Sequence, residues 1–347
     1  MIGVVEGFFG PAWPKLGRES YATFLSSISA DFFIYAPKQD QHLRKGWREE
    51  WDQEYLNFLT SLRDTFQKQG IKFGVALSPF GLGKSLESEE KILLEKRVSF
   101  LKDLKIDILG LFFDDMPTHE GLAEVQIEAM KIVEKQFEGH IVFCPTYYCF
   151  DPILEKVFGK MPDQYLEKIG EEIPARVSIA WTGPKVISPE IPAEHLQEVS
   201  LLLKRKPFIW ENLFANDGPK NCKFIKVRPY DGRTLEASES AEAWGFNMMN
   251  QPYLSQLDLR ASQLVLQDGL LSEQALDKTL SELCSPGFGD FLRKHRMELQ
   301  TRGLDNFTMK EKDSLIKELK SFSDPGAQEI IDWFQGFYVV GAECLTD

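Results

Sequence analysis

The stretch ILGLFFDD at 108–115 ends an otherwise apolar run on two adjacent carboxylates, Asp114 and Asp115. Charging both acids side by side at a partly buried rim is unfavourable. One pKa therefore rises, and its owner stays protonated near neutrality while the other ionises. Such a pair can do acid–base work, or it can cap a helix opening near Thr118 or pair with a rim lysine. Its company helps to decide between these readings. Seven further short runs end on Glu6 and Gly7, Lys38, Ser78, Tyr147 and Tyr148, Trp181, Trp210 and Asn212, and Asn250. Taken singly, Trp181, Trp210, Tyr147 and Tyr148 are commoner as core aromatics and Lys38 as a solvated loop residue, while Asn212, Asn216 and Asp217 read as turn formers. Gathered on one rim, they supply the planar hydrogen-bonding groups and flat apolar faces that a polar ring-shaped ligand needs.

The runs themselves cover 2–9, 32–37, 72–78, 108–115, 140–148, 176–182, 207–212 and 245–250. Most are continuously apolar, as strands buried on both faces of a parallel sheet are. Between them lie amphipathic stretches. Leu122, Val125, Ala129, Val133 and Phe137 fall at helical spacing, as do Leu196, Val199 and Leu203, and a helix over 51–69 closes on Gly70. Strand and helix alternating eight times predict an α/β fold, a (β/α)8 barrel over residues 1–260. In that fold the working residues project from the carboxyl ends of the strands, where those polar and aromatic residues stand. The segment 213–244 shows no clear periodicity and reads as a long loop. From about Ser255 onward helix signals take over, including a capping box at Thr308 and Glu311. Residues 261–347 are expected to hold the eighth-helix region and a small helical extension.

Composition narrows the partners. The chain has 347 residues, enough for a barrel of about 250 and an appendage, with 43% hydrophobic and 27% charged residues. A net charge of −13 disfavours nucleic acid and anionic membranes, which are bound through Lys and Arg. The amino terminus reads as a first strand rather than a secretory leader, and no apolar run approaches a bilayer span. Five cysteines without a CxxC pair and five scattered histidines predict free thiols in a reducing, cytoplasmic setting, with no metal and no cofactor.

Spacing also bears on mechanism. Two carboxylates that act on a glycosidic bond as acid and nucleophile, or acid and base, ordinarily come from different strands. Adjacent acids on one strand suit another division of labour, in which a 2-acetamido carbonyl of the substrate is the nucleophile. One acid would steer its N–H, and the other would protonate the leaving oxygen.

Six strings in order, GVVEGFFG at 3–10, IYAPKQD at 34–40, LFFDD at 111–115, FCPTYYC at 143–149, AWTGPKVIS at 180–188 and IWENLFAND at 209–217, resemble glycoside hydrolase family 84. That family includes the O-linked N-acetylglucosamine hydrolases and related bacterial β-N-acetylglucosaminidases, and the resemblance covers about residues 1–260. It implies retaining catalysis through an oxazoline on a terminal β-linked N-acetylglucosamine (GlcNAc) of a glycoprotein or small glycan. By position, Asp114 resembles the residue that orients the acetamido group and Asp115 the general acid and base. Gly7 resembles a backbone sugar contact, Lys38 a hydroxyl-binding lysine, and Tyr148 and Trp210 the walls of the acetamido pocket. Asn212 and Asp217 resemble hydroxyl ligands, and Asn250 matches the Asn of a typical Asn–Pro pair. Two other readings remain open: a sugar-binding barrel without catalysis, and a hyaluronidase-like hydrolase acting inside a polymer.

Overall fold

In the computed structural model, which describes residues 1–341 together with Cys344 and Thr346, the eight runs form parallel strands closed into one barrel. They are β1 (Ile2–Glu6), β2 (Phe32–Tyr35), β3 (Lys72–Leu77), β4 (Ile108–Phe112), β5 (His140–Cys144), β6 (Val177–Trp181), β7 (Phe208–Glu211) and β8 (Ala243–Phe246). Each pairs with the next, and β8 closes on β1 with Gly3 opposite Gly245. Gly245 is required by packing: a Cβ there would lie 2.6 Å from the Phe208 ring. Val4, Ile34, Leu77, Leu109, Val142, Ile179 and Ile209 are wholly buried, and burying each such side chain stabilises the fold by roughly 1.5–3 kcal/mol.

Most strands stop short of their predicted carboxyl ends. β1 ends at Glu6 rather than 9, β4 at Phe112 rather than 115, and β8 covers Ala243–Phe246 rather than 245–250. The reason is physical. Phe8, Phe113, Met248 and Met249 are buried and so read as strand, but they lie in the connections beyond the strand ends.

The helices between strands follow their amphipathic patterns. Helix Gln53–Gln67 opens on Asp52, whose carboxylate accepts the Tyr55 N–H at 2.8 Å, and the chain turns away at Gly70 with φ 77°. The segment 213–244 holds more structure than its sequence suggested. It contains a 3-10 turn, Asn221–Lys223, and a short helix, Leu235–Ser240, opened by the Thr234 hydroxyl accepting from Ala237 N. Elements that short give no periodic signal.

The eighth barrel helix is Pro252–Asp268, and Ser272–Leu283, Pro286–Thr301, Met309–Leu319 and Pro325–Phe334 follow it. The capping box at Thr308 and Glu311 is present. Glu329, on the last of these helices, accepts the Tyr253 and Leu254 N–H groups at 2.9 and 2.8 Å, satisfying orphan donors of the barrel helix. The Trp333 indole donates to the Cys222 carbonyl at 2.9 Å. The extension thereby braces the loop that carries Asp217 and Asn221. Among the described residues no helix is long and apolar enough to cross a membrane.

Candidate active site

A cavity opens at the carboxyl ends of the strands. Its lining includes Gly7, Lys38, Asp114, Asp115, Tyr148, Trp210, Asn212 and Asp217, all singled out in the sequence.

The adjacent acids reach one cavity because the chain abandons strand geometry at the right place. Consecutive side chains on a strand face opposite sides. β4 ends at Phe112, and Asp115 takes a left-handed backbone with φ 57°, which turns its carboxylate back to the side of Asp114. Asp tolerates that conformation better than most residues, and non-glycine residues held there cluster at functional sites. The β4–β5 connection steadies the turn: Phe113 N donates to the Cys144 carbonyl, and the Thr146 hydroxyl donates to the Phe113 carbonyl, each at 2.8 Å.

Asp114 is buried, with the Lys38 ammonium on its Oδ2. Among the described residues its Oδ1 is buried without a hydrogen-bond partner. The Tyr148 hydroxyl donates to Asp115 Oδ1 at 3.4 Å. Burial pushes the Asp115 carboxyl above the ordinary carboxylate range; Lys38 and Arg44 oppose that rise, while Asp114 and Asp217 add to it. Burial raises Asp217 as well, against the lowering effect of the Phe9 N–H that it accepts at 2.8 Å. Tyr148 is driven well up, first by burial and then by Asp115, and so remains a neutral donor.

The aromatic wall is fixed by close packing. Trp210 meets Phe112 edge-on at 4.9 Å, and the Lys38 ammonium lies 5.8 Å from its ring centre. Gly7 faces it so closely that a Cβ would lie 2.5 Å from the indole. Opposite charge, a polar pair and a flat apolar face thus meet in one pocket.

A family model described as beta-N-acetylglucosaminidase matches residues 2–294. The chain belongs to the β-N-acetylglucosaminidase family. Its curated relatives include the protein O-GlcNAcases of Rattus norvegicus and Mus musculus, each 31% identical over 248 residues, 68% of this chain and 26% of theirs. The chain therefore spans about a quarter of the length of these relatives. Among solved structures, a mutant of the Thermobaculum terrenum O-GlcNAc hydrolase superposes with a TM-score of 0.78 at 26% identity, covering 96% of this chain and 73% of that one.

Within this β-N-acetylglucosaminidase fold some sequence expectations move. Asn250 does not line the cavity. Its amide donates to the Phe9 carbonyl and its N–H to the Asn216 side chain, so it ties the β1, β7 and β8 loops together. Asn247 stands in the cavity instead, donating to Asn212 Oδ1 at 2.9 Å while Asn212 donates to the Val186 carbonyl. It sits one residue past the end of β8, so correct strand bounds would have found it. Glu6, Ser78, Tyr147 and Trp181 also lie outside the lining. Glu6 is sealed against Arg18, the Tyr147 hydroxyl donates to the Gly159 carbonyl, and the Trp181 indole donates to His195. Phe9, Cys144, Thr182, Val186, Cys344 and Thr346 also belong to the lining. The last two come from the far end of the sequence, where nothing in the residue pattern marks them.

Proposed function

We propose that this chain is a retaining exo-β-N-acetylglucosaminidase that removes terminal β-linked GlcNAc, from Ser or Thr of proteins or from small glycans, with assistance from the substrate's own acetamido group. The observation that carries this reading is the buried, unpartnered Asp114 Oδ1 beside Asp115 in the same cavity. A buried acceptor without a donor is unfavourable by about 1–3 kcal/mol, and an acetamido N–H supplies the missing bond. Lys38 holds the other Asp114 oxygen, which leaves Oδ1 as the acceptor turned to the ligand.

In the first step the acetamido oxygen attacks the anomeric carbon and forms the oxazoline ring. The bond to the leaving oxygen breaks as Asp115 donates its proton. Asp115 then takes a proton from water, whose oxygen attacks the anomeric carbon and reopens the oxazoline. Two displacements return the original β configuration. Burial keeps Asp115 protonated further up the pH scale than an exposed carboxyl, as a general acid needs. The Tyr148 hydroxyl is placed to bond the acetamido oxygen, and Trp210 with Gly7 shapes the wall for its methyl group. A cavity ringed by β1, β2, β4, β5, β7 and β8 residues, with Cys344 and Thr346 at its edge, supports a pocket for a chain end rather than an open cleft.

The roles separate by leaving group. Asp115→Ala should spare aryl N-acetylglucosaminides with good leaving groups and abolish turnover of poor ones, because a good leaving group needs little acid. Asp114→Ala should depress both alike. Equal losses across leaving groups in Asp115→Ala, or a product of inverted anomeric configuration by NMR, would overturn the assignment. Absence of any turnover by the pure protein would favour the sugar-binding reading.

A further inference from the structure

Resting on the assignment of Asp115 as the acid, we propose that Arg44 is its positioning residue, clamping the left-handed Asp115 main chain and facing the carboxyl with a fixed positive charge.

Arg44 follows the 3-10 turn Gln41–Leu43 and is buried, only 6% exposed. Among the described residues no carboxylate forms an ion pair with it. A buried guanidinium without such a partner is unfavourable unless another feature of its surroundings compensates. Its Nη2 donates to the Asp115 carbonyl oxygen at 3.4 Å, and among the described residues its Nη1 has no hydrogen-bond partner. The guanidinium carbon lies 5.8 Å from the centre of the Phe9 ring and 5.4 Å from that of Phe80. The cation is thus packed among aromatic rings beside the acid, where low polarisability strengthens its field.

The turn that carries Arg44 is rigid. Asp40 accepts the His42 and Leu43 N–H groups on Oδ1 and the Tyr35 and Tyr55 hydroxyls on Oδ2. Ser78 N donates to the Leu43 carbonyl at 2.7 Å, fastening the turn to β3. A guanidinium set on such a support can hold a strained backbone that Asp115 would otherwise leave. The other charged or titratable groups facing Asp115 are Lys38, Asp114, Asp217, Tyr148, Cys144 and Cys344. Of these only Lys38 is positive, and it is bonded to Asp114. Arg44 is therefore the cation left to balance Asp115.

The test compares Arg44→Met, Arg44→Lys and Asp115→Asn on aryl N-acetylglucosaminides of good and poor leaving group across pH. Arg44→Met should lower kcat on the order of 10- to 100-fold with little change in KM, as a misplaced catalytic group does. The poor leaving group should suffer more. The alkaline limb of kcat/KM should move to higher pH, because a positive neighbour no longer favours the carboxylate. Arg44→Lys should keep the limb near its original place while restoring little kcat, since it lacks the planar fork. If Arg44→Met does not fold, Arg44→Gln should show the same limb movement. A limb unmoved in these neutral variants, with losses equal across leaving groups, would reduce Arg44 to a packing residue. If Asp115→Asn itself leaves poor leaving groups turning over, the acid assignment fails and this inference falls with it.

Discussion

Two sets of buried acids stand at the carboxyl ends of the same barrel, and they are treated oppositely. Glu6, ending β1, accepts Arg18 Nε and Nη2 and the Trp13 N–H. Glu211, ending β7, accepts Arg233 Nε and Nη2, the Tyr230 hydroxyl and the Leu213 N–H. Both carboxylates are fully buried, every oxygen is bonded, and each faces a bidentate arginine. Asp114 and Asp115 instead share a cavity. One oxygen of Asp114 has no partner, its cation is a lysine, and the Asp115 backbone is strained. Satisfied acids hold the rim together, and under the proposed function the unsatisfied ones are poised for a ligand. The same residue type at the same level of the same fold is scaffold or site according to whether its bonds are already made.

That contrast is broken most severely by neutralising one member of each set. Asp114→Asn and Asp115→Asn should each reduce turnover of a poor-leaving-group substrate by about 10²–10⁴-fold, and Asp115→Asn, which breaks no ion pair, should keep a thermal midpoint equal to or above that of the parent. Glu211→Gln should do the reverse. It leaves Arg233, which is wholly buried, without its counter-charge, at a loss on the order of 3–5 kcal/mol of stability, while the remaining folded fraction keeps its kcat. Denaturant melts and active-site titration of the same preparations separate the two behaviours. A stable but inactive Glu211→Gln would erase the distinction.

Glu329 shows where the dividing line falls. It is buried and accepts two backbone N–H groups but faces no arginine, and burial pushes its carboxyl up to about 8 from 4.5. A carboxyl whose folded pKa is raised binds its proton more tightly when folded. Its contribution to stability is therefore complete below about 4.5 and is lost as pH rises through about 8. The parent protein should lose stability between about pH 4.5 and 8, on the order of a few kcal/mol, and Glu329→Gln should flatten that slope. A parallel slope in the variant would show that the helix Pro325–Phe334 docks independently of this proton.

Much of this was legible in the residues. Eight apolar runs and the helices between them specify the barrel, since each run buries both faces and only alternation with amphipathic helices covers a closed sheet. Asp114, Asp115, Lys38 and Trp210, which line the cavity, could be singled out because they stand at or just past the carboxyl ends of those runs. The misses have physical causes. Asn250 lies outside the cavity lining and Asn247 within it; Met248 and Met249 are wholly buried and lengthen the apparent strand. Arg44 carries no sequence signal at all, as its role depends on a turn set by Asp40 and on a backbone angle at Asp115 that no periodicity encodes. Trp181 and Tyr147 have the composition of sugar platforms but spend their polar atoms on His195 and Gly159.

The mildest test probes the wall rather than the acids. Gly7 has no unusual backbone angle, and what it provides is room: a Cβ would come within 2.5 Å of Trp210 Cζ2 and 3.3 Å of a Val5 methyl. The indole cannot simply retreat, because Phe112 meets it edge-on at 4.9 Å. Gly7→Ala should therefore tilt Trp210 at a packing penalty of about 1–3 kcal/mol, felt by the ligand rather than by the acid. KM should rise roughly 10-fold while kcat and its alkaline limb stay near the parent values, because neither Asp114 nor Asp115 moves. An acetamido-truncated ligand should lose far less affinity than the full sugar in this variant. If both lose equally, Trp210 is not the wall of the acetamido site, and the aromatic face of the cavity serves the ring instead.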